Sequence, residues 1–261
     1  MLTYCGDMNA WTIVTITVIA VLVGTILQRL SGTGVGLVVA PALSLVLGPA
    51  FGVLLTNMTT MVSGFLIMLS MWSSISWRHY GWIIIPAVPG AWAGAWLVSQ
   101  LSAAWLSIVL GAIVVLAIVV TVSLRQLPEL TGRPTTVVAG ALGGLFNSTS
   151  GVAAPVMVIY SRLSRWDQRS FAATLQPIFM TMGALSVVMK LGMGTVMDGP
   201  EPDIPLVVLL VCIVVAVGLG LTVALFLSRY VSALTARRMA MTLAGLGGVS
   251  AIMRGVFQLV A

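Results

Sequence analysis

Two short clusters of glycine and small hydroxyl residues interrupt otherwise apolar sequence. The first is Ser31-Gly32-Thr33-Gly34-Val35-Gly36, followed by an apolar run with Pro41; the second is Asn147-Ser148-Thr149-Ser150-Gly151, followed by an apolar run with Pro155. In a helix break, such residues let successive backbone N–H groups point at one spot, and the next helix adds its positive dipole end there. The chemistry this supports is anion binding. Two such helix starts, near Leu37 and near Val152, would converge on one ligand. The hydroxyls of Ser31, Thr33, Ser148, Thr149 and Ser150 and the amide of Asn147 would be further donors, and Gly32, Gly34, Gly36 and Gly151 would allow close backbone approach. An oxyanion with several acceptors suits this set. Small residues also permit close helix packing in membranes. Interrupted apolar segments at matching places in two halves of a chain, however, point to a mid-membrane binding site.

The following apolar segments carry a polar stripe, Thr56, Asn57, Thr59, Thr60 and Ser63 in the first half and Thr174, Gln176 and Thr181 in the second. Thr and Ser bond back to their own helix carbonyls at little cost. Amides are harder to bury idle, so Asn57 and Gln176 are the sharper ligand candidates. Arg29 beside the first cluster is a further candidate if it lies deep in the membrane, and a snorkelling interfacial residue if the preceding segment crosses fully. Lys190 and Arg254, near the ends of their segments, are expected to snorkel. All six carboxylates, Asp7, Glu129, Asp167, Asp198, Glu201 and Asp203, fall in termini or loops. A cation would therefore have only carbonyl oxygens to balance it, which favours an anion.

The elements that must hold these residues follow from composition. With 59% hydrophobic and 7% charged residues and a mean hydropathy of +1.13, most of the chain belongs in lipid. Continuous apolar runs such as Leu206 to Leu227 match the ~20 residues of a helical span and lack the alternation of a barrel strand. The expected fold is therefore all-α and polytopic. The N-terminus lacks the basic stretch of a cleavable signal, so the first helix is expected to be retained. Cys5 and Cys212 are too few and too differently placed for a disulfide framework or metal site. No cofactor is called for, and the net charge of +6 sits in short loops beside spans, where it reports orientation and not nucleic-acid binding.

Basic residues cluster at Arg78-His79, Arg125 to Arg133, Arg162 to Arg169 and Arg229 to Arg238. By the positive-inside rule these four loops are cytoplasmic, which places Gly48-Pro49, 100–102 and 192–205 outside. The segment 135–161 then leaves and returns to the same face as a hairpin. Its halves, 135–146 and 152–161, would each be ~15–18 Å of helix at 1.5 Å per residue, about half of a ~30 Å core. The segment 11–47 is the corresponding hairpin from the opposite face, although 11–30 is long enough to cross and would make it lopsided. The first repeat is thus 1–124, with hairpin 11–47 and spans 51–71, 82–99 and 103–122. A linker, 125–134, leads to the second repeat, 135–261, with hairpin 135–161 and spans 170–191, 206–227 and 239–259. Three net crossings per half make these inverted-topology repeats, with both termini outside.

The segment Gly32-Thr33-Gly34-Val35-Gly36-Leu37-Val38-Val39-Ala40-Pro41 resembles the glycine-cluster, four apolar residues, proline element of the TauE/SafE family of sulfite and organosulfonate transporters, also known as toluene sulfonate uptake permeases. The second copy, Gly143 to Pro155, has hydroxyl residues where glycines are common in that family. Length, duplicated layout and the segments 82–100 and 171–186 also fit. The resemblance implies movement, most readily export, of a small sulfur-containing or carboxylate anion across the cytoplasmic (inner) membrane. The expected partners are that anion and the bilayer, with a homodimer left open. A passive anion channel shares every feature above, and saturable counterflow would separate the two. An intramembrane hydrolase using Ser31 or Ser150 lacks a base, because the single histidine, His79, lies in a loop and no lysine or carboxylate accompanies these serines. The chain is therefore not expected to be an enzyme.

Overall fold

The structure is a computed structural model that describes residues 10–32, 34–123, 129–130, 132–195 and 205–260. Thr33 and the carboxylates Asp198, Glu201 and Asp203 lie outside the described residues. Every regular element is helical: α1 (Ala10–Ser31), α2 (Gly34–Leu47), α3 (Pro49–Ser70), α4 (Trp77–Gln100), α5 (Ala103–Ser123), α6 (Arg133–Ser150), α7 (Ala154–Leu163), α8 (Gln168–Gly192), α9 (Leu206–Leu227) and α10 (Ala233–Val260), with one 3₁₀ turn at Trp72–Ser74. Among the described residues seven helices, α1, α3, α4, α5, α8, α9 and α10, are long and apolar enough to cross a membrane; α2 and α7 are shorter apolar helices. The expected spans correspond to α3, α4, α5, α8, α9 and α10.

The first hairpin is lopsided, with 22 residues in α1 and 14 in α2; in the second, α7 has the 10 residues of a half-length arm, whereas α6 extends to 18. The helices run through the hydroxyl residues because Ser31 donates to the Leu27 carbonyl (2.6 Å), Thr149 to the Leu145 carbonyl (2.9 Å) and Ser150 to the Phe146 carbonyl (2.8 Å), bonds compatible with continued helix. The chain stops only at Gly32 (φ +84°) and Gly151 (φ +74°), which adopt the left-handed conformation that ends a helix and that only glycine takes without a Cβ penalty. Each N–H closes the last turn, Gly32 onto the Gln28 carbonyl (2.7 Å) and Gly151 onto the Asn147 carbonyl (2.9 Å).

Helices α3 and α8 form the middle of the bundle. The apolar windows of their spans are 72% and 67% buried, against 22% for α10. Their backbones touch at two reciprocal points. A Cβ on Gly64 would lie 2.9 Å from the Gln176 carbonyl oxygen, and one on Gly183 would lie 2.8 Å from the Asn57 carbonyl oxygen. Glycine here permits backbone approach that any side chain would block. Around this pair α6 packs on α4 and α1 on α9, with Gly90 against the Ala141 carbonyl and Gly220 against the Leu22 carbonyl. On the remaining flank α5 packs on α10, again reciprocally: Gly111 meets the Gly248 carbonyl and Gly255 the Ala104 carbonyl.

Outward surfaces of α5, α9 and α10 are apolar, with Val119, Val207, Phe226 and Phe257 exposed. Trp11, Trp77, Trp82 and Trp105 are also exposed, as expected of interfacial anchors, while Trp166 instead stacks on His79 (centroids 4.3 Å apart) and packs edge-on to Tyr160.

Candidate anion-binding site

The two breaks meet in the middle of the bundle. A Cβ on Gly36, in the first turn of α2, would stand 2.2 Å from the Gly151 carbonyl oxygen, so the hairpin tips touch backbone to backbone. Between them lies a cavity of about 20 Å³ lined by Gln28, Gly36, Thr60, Asn147, Gly151 and Phe179. That volume holds about one water. An oxyanion needs several times more, so the tips as they stand leave no room for one.

Helices α2 and α7 both start at this cavity. Ala153, the N-cap of α7, offers no side chain to the first-turn N–H groups, and Pro155 has no N–H to satisfy. Inside helix α2, Pro41 cannot donate to the Leu37 carbonyl, and inside α8, Pro177 cannot donate to that of Ala173.

Two amide pairs brace the tips against the central helices. The Asn147 Nδ2 group donates to Asn57 Oδ1 (3.0 Å), and Asn57 Nδ2 donates to Ser186 Oγ (2.7 Å) and to the Asn147 carbonyl (3.4 Å). Gln28 Nε2 donates to Gln176 Oε1 (3.2 Å), while Gln176 Nε2 returns to the Ala172 carbonyl (3.2 Å). All four amides are buried. Gln28 was not among the sequence candidates, yet it lines the cavity and its Oε1 has no partner. A signal was present: Gln28 to Asn147, Gly32 to Gly151, Asn57 to Gln176 and Gly64 to Gly183 are separated by one and the same interval along the chain.

The hydroxyl candidates divide. Those of Ser31, Thr149 and Ser150 donate to their own helices, as do Thr56, Thr59, Thr60 and Thr174 of the stripes. Thr181 shares a hydrogen bond with the Tyr80 hydroxyl (2.8 Å). Ser148 differs: its hydroxyl is fully buried and has no partner. Arg29, in the last turn of α1, is partly exposed and does not line the cavity, so the structure does not bring it to the site.

Arg254 donates from Nη1 to the Ser44 carbonyl (3.4 Å) and the Leu45 carbonyl, capping acceptors left open at the end of α2, where snorkelling was expected. A second, open cavity of about 830 Å³ lies among the basic helix ends, lined by Arg162, Arg165, Arg237 and Arg238 together with Ser161 and Trp166. Among the described residues no group of three or more His, Cys, Asp or Glu could hold a metal.

Comparison with known proteins adds one finding: a family model described as sulfite exporter TauE/SafE matches residues 16–251. No curated protein and no solved structure matches the chain.

Proposed function

Because the chain belongs to the sulfite exporter TauE/SafE family, a family of membrane transporters, and carries seven helices fit to cross a bilayer, we propose that it exports a small oxyanion, sulfite or an organosulfonate, bound between the two hairpin tips. The observation that carries this reading is the meeting of Gly36 with Gly151 around a cavity at which α2 and α7 both begin and whose lining holds no carboxylate. Helix starts of α2 and α7 supply positive dipole ends there. The cavity ringed by four arginines serves as the mouth on the basic face, concentrating anions by its field. Arg29 is not needed in this scheme.

The two halves act as inverted repeats. Support comes from the packing: exchanging α1 with α6, α3 with α8, α4 with α9 and α5 with α10 turns the α4–α6 contact into α9–α1 and α4–α8 into α9–α3, and maps α3–α8 and α5–α10 onto themselves. The basic helix ends face the cytoplasm and both termini lie outside, in the inner membrane. Single cysteines at Arg165 and Asp198, in a background without Cys5 and Cys212, should react with an impermeant reagent from opposite faces; reaction of both from one face would overturn the orientation.

Transport moves the anion with no intramembrane carboxylate to relay protons, so an inside-negative potential, worth ~2.3 kcal/mol per charge per 100 mV, drives it outward. The direct test is flux into proteoliposomes across sulfite, thiosulfate, sulfonates and small carboxylates, under an imposed potential and, separately, an imposed pH gradient. Saturable counterflow of sulfite or a sulfonate is expected, with the potential as the driving force. Flux without saturation would make the protein a channel. Uphill accumulation driven by the pH gradient alone would overturn the uncoupled mechanism.

A further inference from the structure

Lys190 lies two residues from the end of α8, where an amine needs only to extend to reach an interface. It does not: Lys190 is fully buried and its Nζ has no hydrogen-bond partner. An unpaired buried ammonium costs several kcal/mol after relaxation, so the charged form of Lys190 calls for a compensating charge. Among the described residues the only carboxylates are Glu129 and Asp167, and neither is near. Asp167 caps the opposite end of the same helix, ~35 Å away at 1.5 Å per residue. Glu129 precedes Leu130, whose N–H bonds the Leu163 carbonyl at the end of α7, close in the chain to that same helix start.

One turn back along the same face of α8 is Ser186, also fully buried. Its Oγ accepts from Asn57 Nδ2 (2.7 Å), and its own proton goes to no partner among the described residues. Asn57 in turn accepts from Asn147 at the hairpin tip. A chain of hydrogen-bonded polar groups therefore runs from the tip of α6 through Asn57 to Ser186, one helical turn from Lys190.

We infer that Lys190, with the Ser186 hydroxyl, forms a second binding station for the transported oxyanion, on the outward side of the amide pairs. This rests on the transporter reading above and adds to it a place where the anion's charge is met after it leaves the hairpin tips. The mobile anion is the counter-charge that no carboxylate among the described residues supplies. A guanidinium keeps the charge and adds donors suited to an oxyanion, whereas a neutral side chain removes the station.

The experiment measures counterflow of radiolabelled sulfite in proteoliposomes for wild type, Lys190→Arg, Lys190→Met and Lys190→Gln, with melting temperature in detergent with and without sulfite. Lys190→Met and Lys190→Gln should raise the half-saturating sulfite concentration at least tenfold, with Lys190→Arg within about threefold of wild type. Sulfite should raise the melting temperature of wild type and of Lys190→Arg more than that of either neutral variant. Lys190→Met alone should melt higher than wild type without anion, since it deletes an unbalanced charge. Half-saturation within threefold of wild type in whichever neutral variant folds would overturn the station while leaving the transporter reading intact. Lower melting with unchanged half-saturation would show a protein carboxylate paired with Lys190 and would overturn it too. Failure of wild type to carry or be stabilised by sulfite or any other anion of the panel would remove the proposed cargo, and this station with it.

Discussion

Gly36→Ala is expected to reduce anion counterflow at least tenfold while the protein still inserts and purifies as a folded species. The added methyl would fall 2.2 Å from the Gly151 carbonyl oxygen and 3.3 Å from its carbonyl carbon. Both atoms are backbone, so no side chain can swing away. Relief requires the hairpin tips to part by roughly 1 Å, and overpacking of this kind costs ~1–3 kcal/mol. That cost falls on the closed arrangement, in which the tips touch, and not on states in which they have separated, so the substitution biases the protein against closure. Gly218→Ala is the matched control, because a Cβ there meets nothing within 4 Å. Counterflow by Gly36→Ala at the wild-type rate would show that tip contact plays no part in the cycle.

The second large effect is expected at the amide pairs. Asn147→Leu deprives Asn57 Oδ1 of its donor in a position fully shielded from water, and Gln28→Leu does the same to Gln176 Oε1. Stranding a buried acceptor costs ~1–3 kcal/mol, and each substitution also removes a donor at the cavity. Both single variants should melt lower than wild type and lose at least tenfold in counterflow. The double variant Asn57→Leu/Asn147→Leu separates the two roles. Removing both partners of a buried hydrogen bond is far less costly than removing one, with coupling of ~0.5–3 kcal/mol for groups in direct contact. Stability should therefore be partly restored and transport should not. A double variant that regains transport along with stability would reduce the amides to structural ties between α6 and α3.

The positions of these amides explain why the site was only partly legible in advance. Asn57, Asn147 and Gln176 stand out in sequence because an amide inside an apolar run is costly to bury without a partner. Gln28 is chemically their equal, but it sits beside Arg29 at the end of an apolar segment, where a polar residue reads as a helix end approaching water. Only the packing of α1 against α9 and α2 places that end in the protein interior. The hydroxyls err in the opposite direction. Ser31, Thr149 and Ser150 read as donors for a ligand, yet each is one turn away from a carbonyl of its own helix and donates to it. Ser148, in the same cluster, keeps its proton free, and nothing in its sequence position distinguishes it from its neighbours.

By itself the sequence determined the solvent and therefore the class of fold. A chain that is 59% hydrophobic and 7% charged must satisfy its backbone internally, and apolar runs of about 20 residues do so as helices. Glycine determined where the helices stop, since Gly32 and Gly151 adopt the conformation that other residues resist. What the tertiary structure decided is which backbones approach one another. Contact between Gly36 and Gly151, or between Gly64 and Gln176, depends on how four helices cross, a choice made by packing over the whole bundle and not by local propensity. Lys190 follows the same division: its charge and its nearness to a helix end are legible in the sequence, and both predict snorkelling. Burial by surrounding helices overrides that expectation, because a side chain can reach water only if no other part of the fold stands in its way.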